Sequence, residues 1–232
     1  MMDNFVKKSK EFGLTLDSDA LSKFEKLYLR LVSENEKYNL TAITDKESVY
    51  LLHFLDSLSA ASYIPDSCKL CDIGSGAGFP GIPLKIVKPD IVLTLIDSVN
   101  KKVNYLNGTL SLLQLHKSTA IHTRVEDFAK TKERESFDVV VSRAVAKLNT
   151  LCEYCLPLLK VGGKFIAYKS NVSEELQEAK NAINILGGRL KEVVSVDISD
   201  THVRNIVIIE KVSKTPKNFP RDKNKPKISP IL

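Results

Sequence analysis

No apolar run in the 232 residues approaches the roughly 20 needed to cross a bilayer, so no membrane-spanning helix is expected. The first residues, MMDNFVKKSKEF, carry lysines but neither an apolar core nor a small-residue cleavage site behind them. They do not form a secretory signal, and a cytoplasmic location is expected. No internal repeat is visible. Cysteine is scarce, occurring only as Cys68-x-x-Cys71 and Cys152-x-x-Cys155. The gap between the pairs far exceeds zinc-ribbon spacing, and no turn glycines build knuckles around either pair. Buried thiols are therefore expected, with no metal site and, in the cytoplasm, no disulfide.

What remains is the composition of an ordinary soluble protein, 43% hydrophobic and 27% charged. The length suits one large α/β domain with a modest extension. The net charge of +6 is weighted toward the C-terminus, where lysines and Arg221 surround a single acid, Asp222. Such a balance is compatible with a polyanionic partner and equally with a solvated basic tail.

The chain is organised around residues 69–86, KLCDIGSGAGFPGIPLKI. Leu70, Cys71 and Ile73 have the length and flanks of a buried strand. The glycines after them mark a sharp turn or a close approach to a ligand, and a proline-opened helix follows. This is the opening of a nucleotide-binding α/β domain. Gly76, Gly78 and Gly81 satisfy a dinucleotide fingerprint, with Asp97 where the ribose-binding acid belongs. Gly74, Gly76 and Gly78, led by Asp72, equally satisfy the acid-x-G-x-G-x-G pattern of S-adenosylmethionine-dependent methyltransferases. Charge favours the second reading: Asp72 repels a pyrophosphate but attracts the ammonium and sulfonium of S-adenosyl-L-methionine.

Before this turn the chain is helical. Leu21, Phe24, Leu27 and Leu31 recur at helical spacing behind a cap at Asp17, NLTAIT interrupts, and a second helix runs from about Asp45 to Tyr63. His53 and Asp56, three apart, share one of its faces. After the turn, strands and helices alternate. A strand over 91–96 ends at Asp97, an acid able to accept from both ribose hydroxyls of an adenosine. A strand near 119–122 leads into RVEDF, where Val125 can face the adenine ring and Glu126 its amino edge. A strand over 137–142 delivers Ser142 and Arg143 to the carboxyl end of the sheet, where ligands of open α/β folds bind. A helix near 148–159 ends at Gly162-Gly163, expected to turn into a fifth strand over 164–168, and Lys169 leaves that strand at the same end. Two final strands flank SDTHVR, which carries Arg204, and imply an antiparallel ending. Four prolines then interleave with basic residues, making the last segment an extended arm or one disordered until bound.

Taken together, YNLTAIT, HFLDSL, DIGSGAGFPGIPL, LIDSVNKK, RVEDF, VVSRAVA, LLKVGGKFIAYK and TPKNFPR resemble the bacterial 16S ribosomal RNA guanine-N7 methyltransferases, also called the glucose-inhibited division protein B family. The resemblance covers essentially the whole chain. It implies a Rossmann-like methyltransferase fold, a mostly parallel seven-stranded sheet with an antiparallel C-terminal strand. The divisions expected are a helical extension over 1–65, a methyltransferase domain over 66–212 and a basic arm over 213–232. It implies S-adenosylmethionine against Asp72, Gly74, Gly76, Gly78 and Phe79, with Asp97 and Ser98 near the ribose and Val125 and Glu126 near the adenine. Arg143 falls in the cofactor and reaction cleft. His53, Asp56 and Lys169 join it as catalytic candidates, and Asn39, Lys169 and Arg204 as substrate-binding candidates. The implied partner is 16S ribosomal RNA or the 30S subunit, met by a monomer.

The chemistry of the residues agrees. Exocyclic amine methylation usually goes with an N/D-P-P-Y/F motif after the fourth strand, and cytosine carbon-5 methylation needs a cysteine nucleophile. SRAVA provides neither. Guanine N7 already carries a free lone pair and requires mainly positioning. Three other classes fit parts of the sequence: a nicotinamide oxidoreductase, a non-catalytic RNA-binding protein and a small-molecule methyltransferase.

Overall fold

The computed structural model describes residues 2–232. Two helices open the chain, α1 (Met2–Glu11) and α2 (Ser18–Tyr38). The α2 start is where the sequence predicts it: Asp17 is extended, and its Oδ1 accepts from the Ala20 N–H at 2.8 Å, satisfying an amide that a helix start leaves without a partner. Phe24, Leu27 and Leu31 are fully buried, as their spacing requires. A third helix, α3 (residues 46–58), is wound unevenly. Lys46–Ser48 and Asp56–Leu58 are α-helical, while Val49–Leu55 between them is π-helical. That widening is invisible to a spacing argument.

Seven strands form one sheet: β1 (Lys69–Ile73), β2 (Val92–Asp97), β3 (Ser118–His122), β4 (Phe137–Arg143), β5 (Leu159–Lys169), β6 (Gly188–Ser199) and β7 (His202–Lys211). Their order is β3-β2-β1-β4-β5-β7-β6, parallel throughout except for β7, which runs antiparallel to both neighbours. The central strands are apolar on both faces. Val139 and Val141 of β4, Ile166 and Tyr168 of β5, and Ile206 and Ile208 of β7 share a core with α2 and α3. Val140, Phe165, Ala167, Val207 and Ile209 face the opposite core, under the helices Leu148–Cys155 and Ser173–Ile185. This is why those strands are continuous hydrophobic runs rather than alternating ones. All four cysteines are free and buried, and burial pushes the Cys68 thiol up to about 11.

Two expectations shift. The Gly162-Gly163 pair lies inside β5 rather than before it, and the helix from Leu148 ends at Cys155. The register between β4 and β5 slips at this point, and the slip needs the positive φ of Gly162 and the missing side chain of Gly163, whose Cβ would lie 2.9 Å from the Asp138 carbonyl. Arg204 belongs to β7 itself, since the final hairpin turns at residues 200–201.

The proline-rich end is docked. Its carbonyls have no strand to pair with, and the Arg134 guanidinium takes those of Thr215, Pro216 and Phe219 at 2.9, 3.2 and 2.7 Å. Arg221 forms a two-pronged pair with Glu153 at 2.9 and 2.7 Å, Lys130 pairs with Asp222, and the Thr150 hydroxyl donates to the Pro226 carbonyl. Glu153 has only 1% of its side chain exposed. Arg221→Ala strands that carboxylate away from its countercharge and is expected to cost about 3 kcal/mol in urea unfolding; an unchanged midpoint would show the docking to be energetically idle.

Candidate active site

The glycine turn is built at the carboxyl ends of β1 and β2. Gly74, Gly76 and Gly78 have φ of 69°, 57° and 96°, a region costly for any residue with a Cβ. Asp97 pins the turn: its Oδ2 accepts from the Gly76 N–H at 2.9 Å and its Oδ1 from the Val99 N–H at 2.8 Å. Below the turn, Asp72 is fully buried and its Oδ2 accepts from the Gly81 N–H at 2.9 Å. The glycines differ in purpose. A Cβ on Gly74 would lie 2.5 Å from Val145 Cγ2, so its absence serves packing, whereas a Cβ on Gly76 would meet only the Gly74 carbonyl, at 3.9 Å.

Beside this turn lies a cavity of about 170 Å³, lined among others by Gly74, Asp97, Ser98, Val125 and Glu126. Two buried carboxylate oxygens have no partner, Oε1 of Glu126 on its wall and Oδ1 of Asp72 beneath the turn. Burying an acceptor without a donor costs free energy, so such oxygens mark a place where a ligand completes the structure. Burial raises the Asp72 carboxyl to about 7, against the downward pull of the Gly81 N–H and of Arg143.

A second cavity of about 560 Å³ opens on the other side of the loop after β4. Its wall carries His53, Asp56, Arg143, Lys169 and Arg204, so five sequence-predicted residues from four elements meet here. Asp56 is 1% exposed and lies between two arginines. Arg143 Nη1 donates to its Oδ2 at 2.7 Å and to the Leu52 carbonyl at 3.1 Å; Arg204 donates to Oδ1 at 2.6 Å through Nε and to Oδ2 at 3.1 Å through Nη2. The π turn contributes: the Asp56 N–H reaches back to the Leu51 and His53 carbonyls, leaving that of Leu52 for the arginine. Lys169 Nζ is held by Glu175 at 2.6 Å and by the Ala146 carbonyl at 2.7 Å.

His53 stacks on Phe79, with ring centroids 4.8 Å apart, and Arg143 lies over the same ring at 5.2 Å. Burial, then the positive charge of Arg143, pushes the imidazole down to about 4. It is neutral near pH 7. Its Nδ1 lies 3.2 Å from the Leu52 carbonyl and 3.4 Å from Arg143 Nη2, and its Nε2 lies 2.9 Å from Thr41 Oγ1, so both ring nitrogens are engaged in either neutral tautomer.

Five predicted residues line neither cavity: Asp72, Gly76 and Gly78, which build the turn and its support, and Phe79 and Asn39. Phe79 is buried as the platform for His53 and Arg143 and lines neither cavity. Asn39 is exposed at the end of α2, where its left-handed backbone (φ 50°) closes the helix. The polar work beside it falls to Asn35, which holds both the N–H and the carbonyl of Thr41. Thr41, Asn35, Ser170 and Glu175 had no signal of their own in the sequence; each matters through a partner, Thr41 with His53, Asn35 with Thr41, Glu175 with Lys169, and Ser170 Oγ accepting from Arg204 Nη1 at 3.0 Å.

Comparison with known proteins agrees with this geometry. The family model described as rRNA small subunit methyltransferase G matches residues 20–206. A protein of that name from Staphylococcus carnosus is 47% identical, over 98% of this chain and 97% of the relative; another from Bacillus cereus is 46% identical, over 99% and 98%. The chain belongs to this family. Among solved structures, M. jannaschii TYW2 in complex with AdoMet has a TM-score of 0.56 at 16% identity over 68% of this chain and 75% of that one. An S-adenosylmethionine-dependent O-methyltransferase from Thermotoga maritima has a TM-score of 0.55 at 16% identity over 81% and 73%. At such identity these show the fold, a Rossmann-like methyltransferase.

The residues present fit S-adenosylmethionine, the methyl donor of the family. The unpartnered Asp72 oxygen suits a cationic methionine end, the open face of Gly76 admits a ligand, and Glu126 offers an acceptor to an amino group. Because the native Asp72 carboxyl lies above its ordinary 3.8, the folded state holds that proton more tightly than the unfolded chain does. Its contribution to stability is complete below about pH 4 and is lost as pH rises through about 7. Asp72→Asn is expected to remove this slope, a difference on the order of a few kcal/mol in urea unfolding between acid and neutral pH. Parallel pH profiles of the two proteins would contradict it.

Proposed function

We propose that this chain transfers a methyl group from S-adenosylmethionine to N7 of a guanine in 16S ribosomal RNA, free or within the 30S subunit, and acts as a monomer. When bound, the cofactor supplies a methyl group activated by its sulfonium. The chain's own residues bind and align. Asp72, the glycine turn and Asp97 hold the donor side, and Arg143, Lys169 and Arg204 face the target side.

One observation carries the choice of atom: among the described residues no free base stands beside Arg143 in the target cleft, and the other imidazole on its wall, His202, is exposed at the hairpin turn with Nδ1 3.0 Å from Thr201 Oγ1. The cleft's carboxylates, Asp56 and Glu175, are each tied to cations, and His53 is a weak base with both ring nitrogens engaged. An acceptor that must lose a proton to react would need such a base; guanine N7 does not, because its lone pair is already available. The cleft instead offers N–H donors, the complement of the acceptor edge that guanine presents through O6 and N7. A donor on O6 orients the ring while N7 stays free to attack, so the rate enhancement comes mainly from alignment. The phosphates flanking the target are attracted by the same cations.

Labelled methyl from S-adenosylmethionine, offered to small-subunit RNA or 30S subunits from cells lacking this protein, is expected to be recovered as 7-methylguanine. At saturating cofactor and RNA the turnover should not rise steadily with pH between about 6 and 9, since guanine N7 has no proton to lose and saturation with the donor suppresses the effect of Asp72, raised to about 7. Arg143→Ala is expected to lower turnover on the order of 100-fold. Label recovered in another base, or a rate rising steadily with pH, would point to a different acceptor.

A further inference from the structure

We propose that the docked C-terminal arm is part of the cofactor site, with Asn224 and Lys227 forming the outer wall of the 170 Å³ cavity and contacting the nucleoside end of the bound cofactor. The proposal rests on the S-adenosylmethionine reading above. Both residues line that cavity opposite Asp97 and Glu126, although about 100 residues separate them from those acids. The chain is brought there by fixed points rather than by chance: Arg221 on Glu153, Asp222 on Lys130, and the Pro226 carbonyl on Thr150. Between them Lys223 and Asn224 take left-handed backbone, φ 56° and 59°, a conformation uncommon for either residue and here the means of turning the arm toward the cleft.

The polar groups on the two walls are complementary to an adenine. Asn224 Oδ1 accepts from Arg124 Nη1 at 2.7 Å, which fixes the amide so that its NH₂ is the free end. That NH₂ and the Lys227 ammonium have no side-chain partner among the described residues, so the outer wall offers donors. The inner wall offers acceptors, Asp97 and the unpartnered Oε1 of Glu126. Adenine carries an amino donor and ring-nitrogen acceptors on its edges and can satisfy both walls. A phosphate gains little here, since two acids balance Arg124 and Lys227. The basic composition of the arm thus has an explanation within the protein, in its docking pairs and in this wall.

Calorimetric titration of the full chain with S-adenosylmethionine, and with 5′-methylthioadenosine as a probe of the nucleoside end alone, tests the idea. Asn224→Ala and Lys227→Ala are each expected to weaken both ligands at least about fivefold, the order of one neutral or charge-assisted hydrogen bond. Lys217→Ala, on the same arm but outside the cavity, should leave both affinities unchanged, and small-subunit RNA affinity should stay within about twofold for all three. Unchanged affinity for both probes would overturn the proposal, as would a loss of RNA affinity with cofactor affinity intact, which would make the arm an RNA contact. A wild-type chain that binds 5′-methylthioadenosine but not S-adenosylmethionine would leave the arm's role standing and sink the methyl-donor reading instead.

Discussion

The Asp56 carboxylate is the constraint on which the target side depends. A buried carboxylate is tolerated only when its desolvation is repaid by close, well-aligned donors, and Asp56 receives them from two arginines on different strands. The arrangement ties α3 to β4 and β7 at one point. Tyr168 of β5 adds a second tie, donating to the Ser57 carbonyl at 2.8 Å. The helical start of the chain is thereby not a detachable cover. It shares a core with the sheet on one side and supplies one wall of the cleft on the other. Two guanidinium charges against one carboxylate also leave the cluster net positive, suited to a polyanion without an exposed lysine patch.

The two cavities are separated by very little chain. Arg143 and Ala144 border the target cleft, and Val145 and Ala146 border the cofactor cavity. The reversal between them is made by Ala144, whose φ of 57° is unusual for a residue other than glycine. Val145 then packs against Gly74, so the loop and the glycine turn fit only each other. The SRAVA segment has no proline or aromatic to bring to an amine; its side chains are spent on shaping a partition.

Much of this was legible in the sequence because its causes are local. The Asp17 cap, the helical spacing of Phe24, Leu27 and Leu31, the doubly apolar strands and the glycine turn each depend on neighbours within a few residues, and each stands where it was expected. The cluster of His53, Asp56, Arg143, Lys169 and Arg204 was legible as a set through the family resemblance, but its wiring was not. That wiring runs across separations of 87 and 148 residues, which no spacing rule reaches. Asn39 and Phe79 illustrate the converse. Both lie in informative motifs, yet one closes a helix and the other supports a ring, because position in a motif does not say which way a side chain faces. The arm was misjudged for a similar reason: Arg134 satisfies carbonyls there from elsewhere in the fold, and Pro226, whose missing N–H costs nothing in a first helical turn, sits in the short helix Lys225–Ile228.

The π-helical stretch Val49–Leu55 has a consequence of its own. Relative to an α-helix it holds surplus chain, in the manner of an insertion that was never looped out. Removing one residue from this stretch would let the chain close into an ordinary α-helix with Asp56 still facing both arginines. The carbonyl one turn before Asp56 would then be taken into the helix ladder and lost to Arg143, which now holds that of Leu52 at 3.1 Å. A frame-preserving loss of a single codon here, harmless to composition and hydrophobicity, would separate folding from function more cleanly than most substitutions.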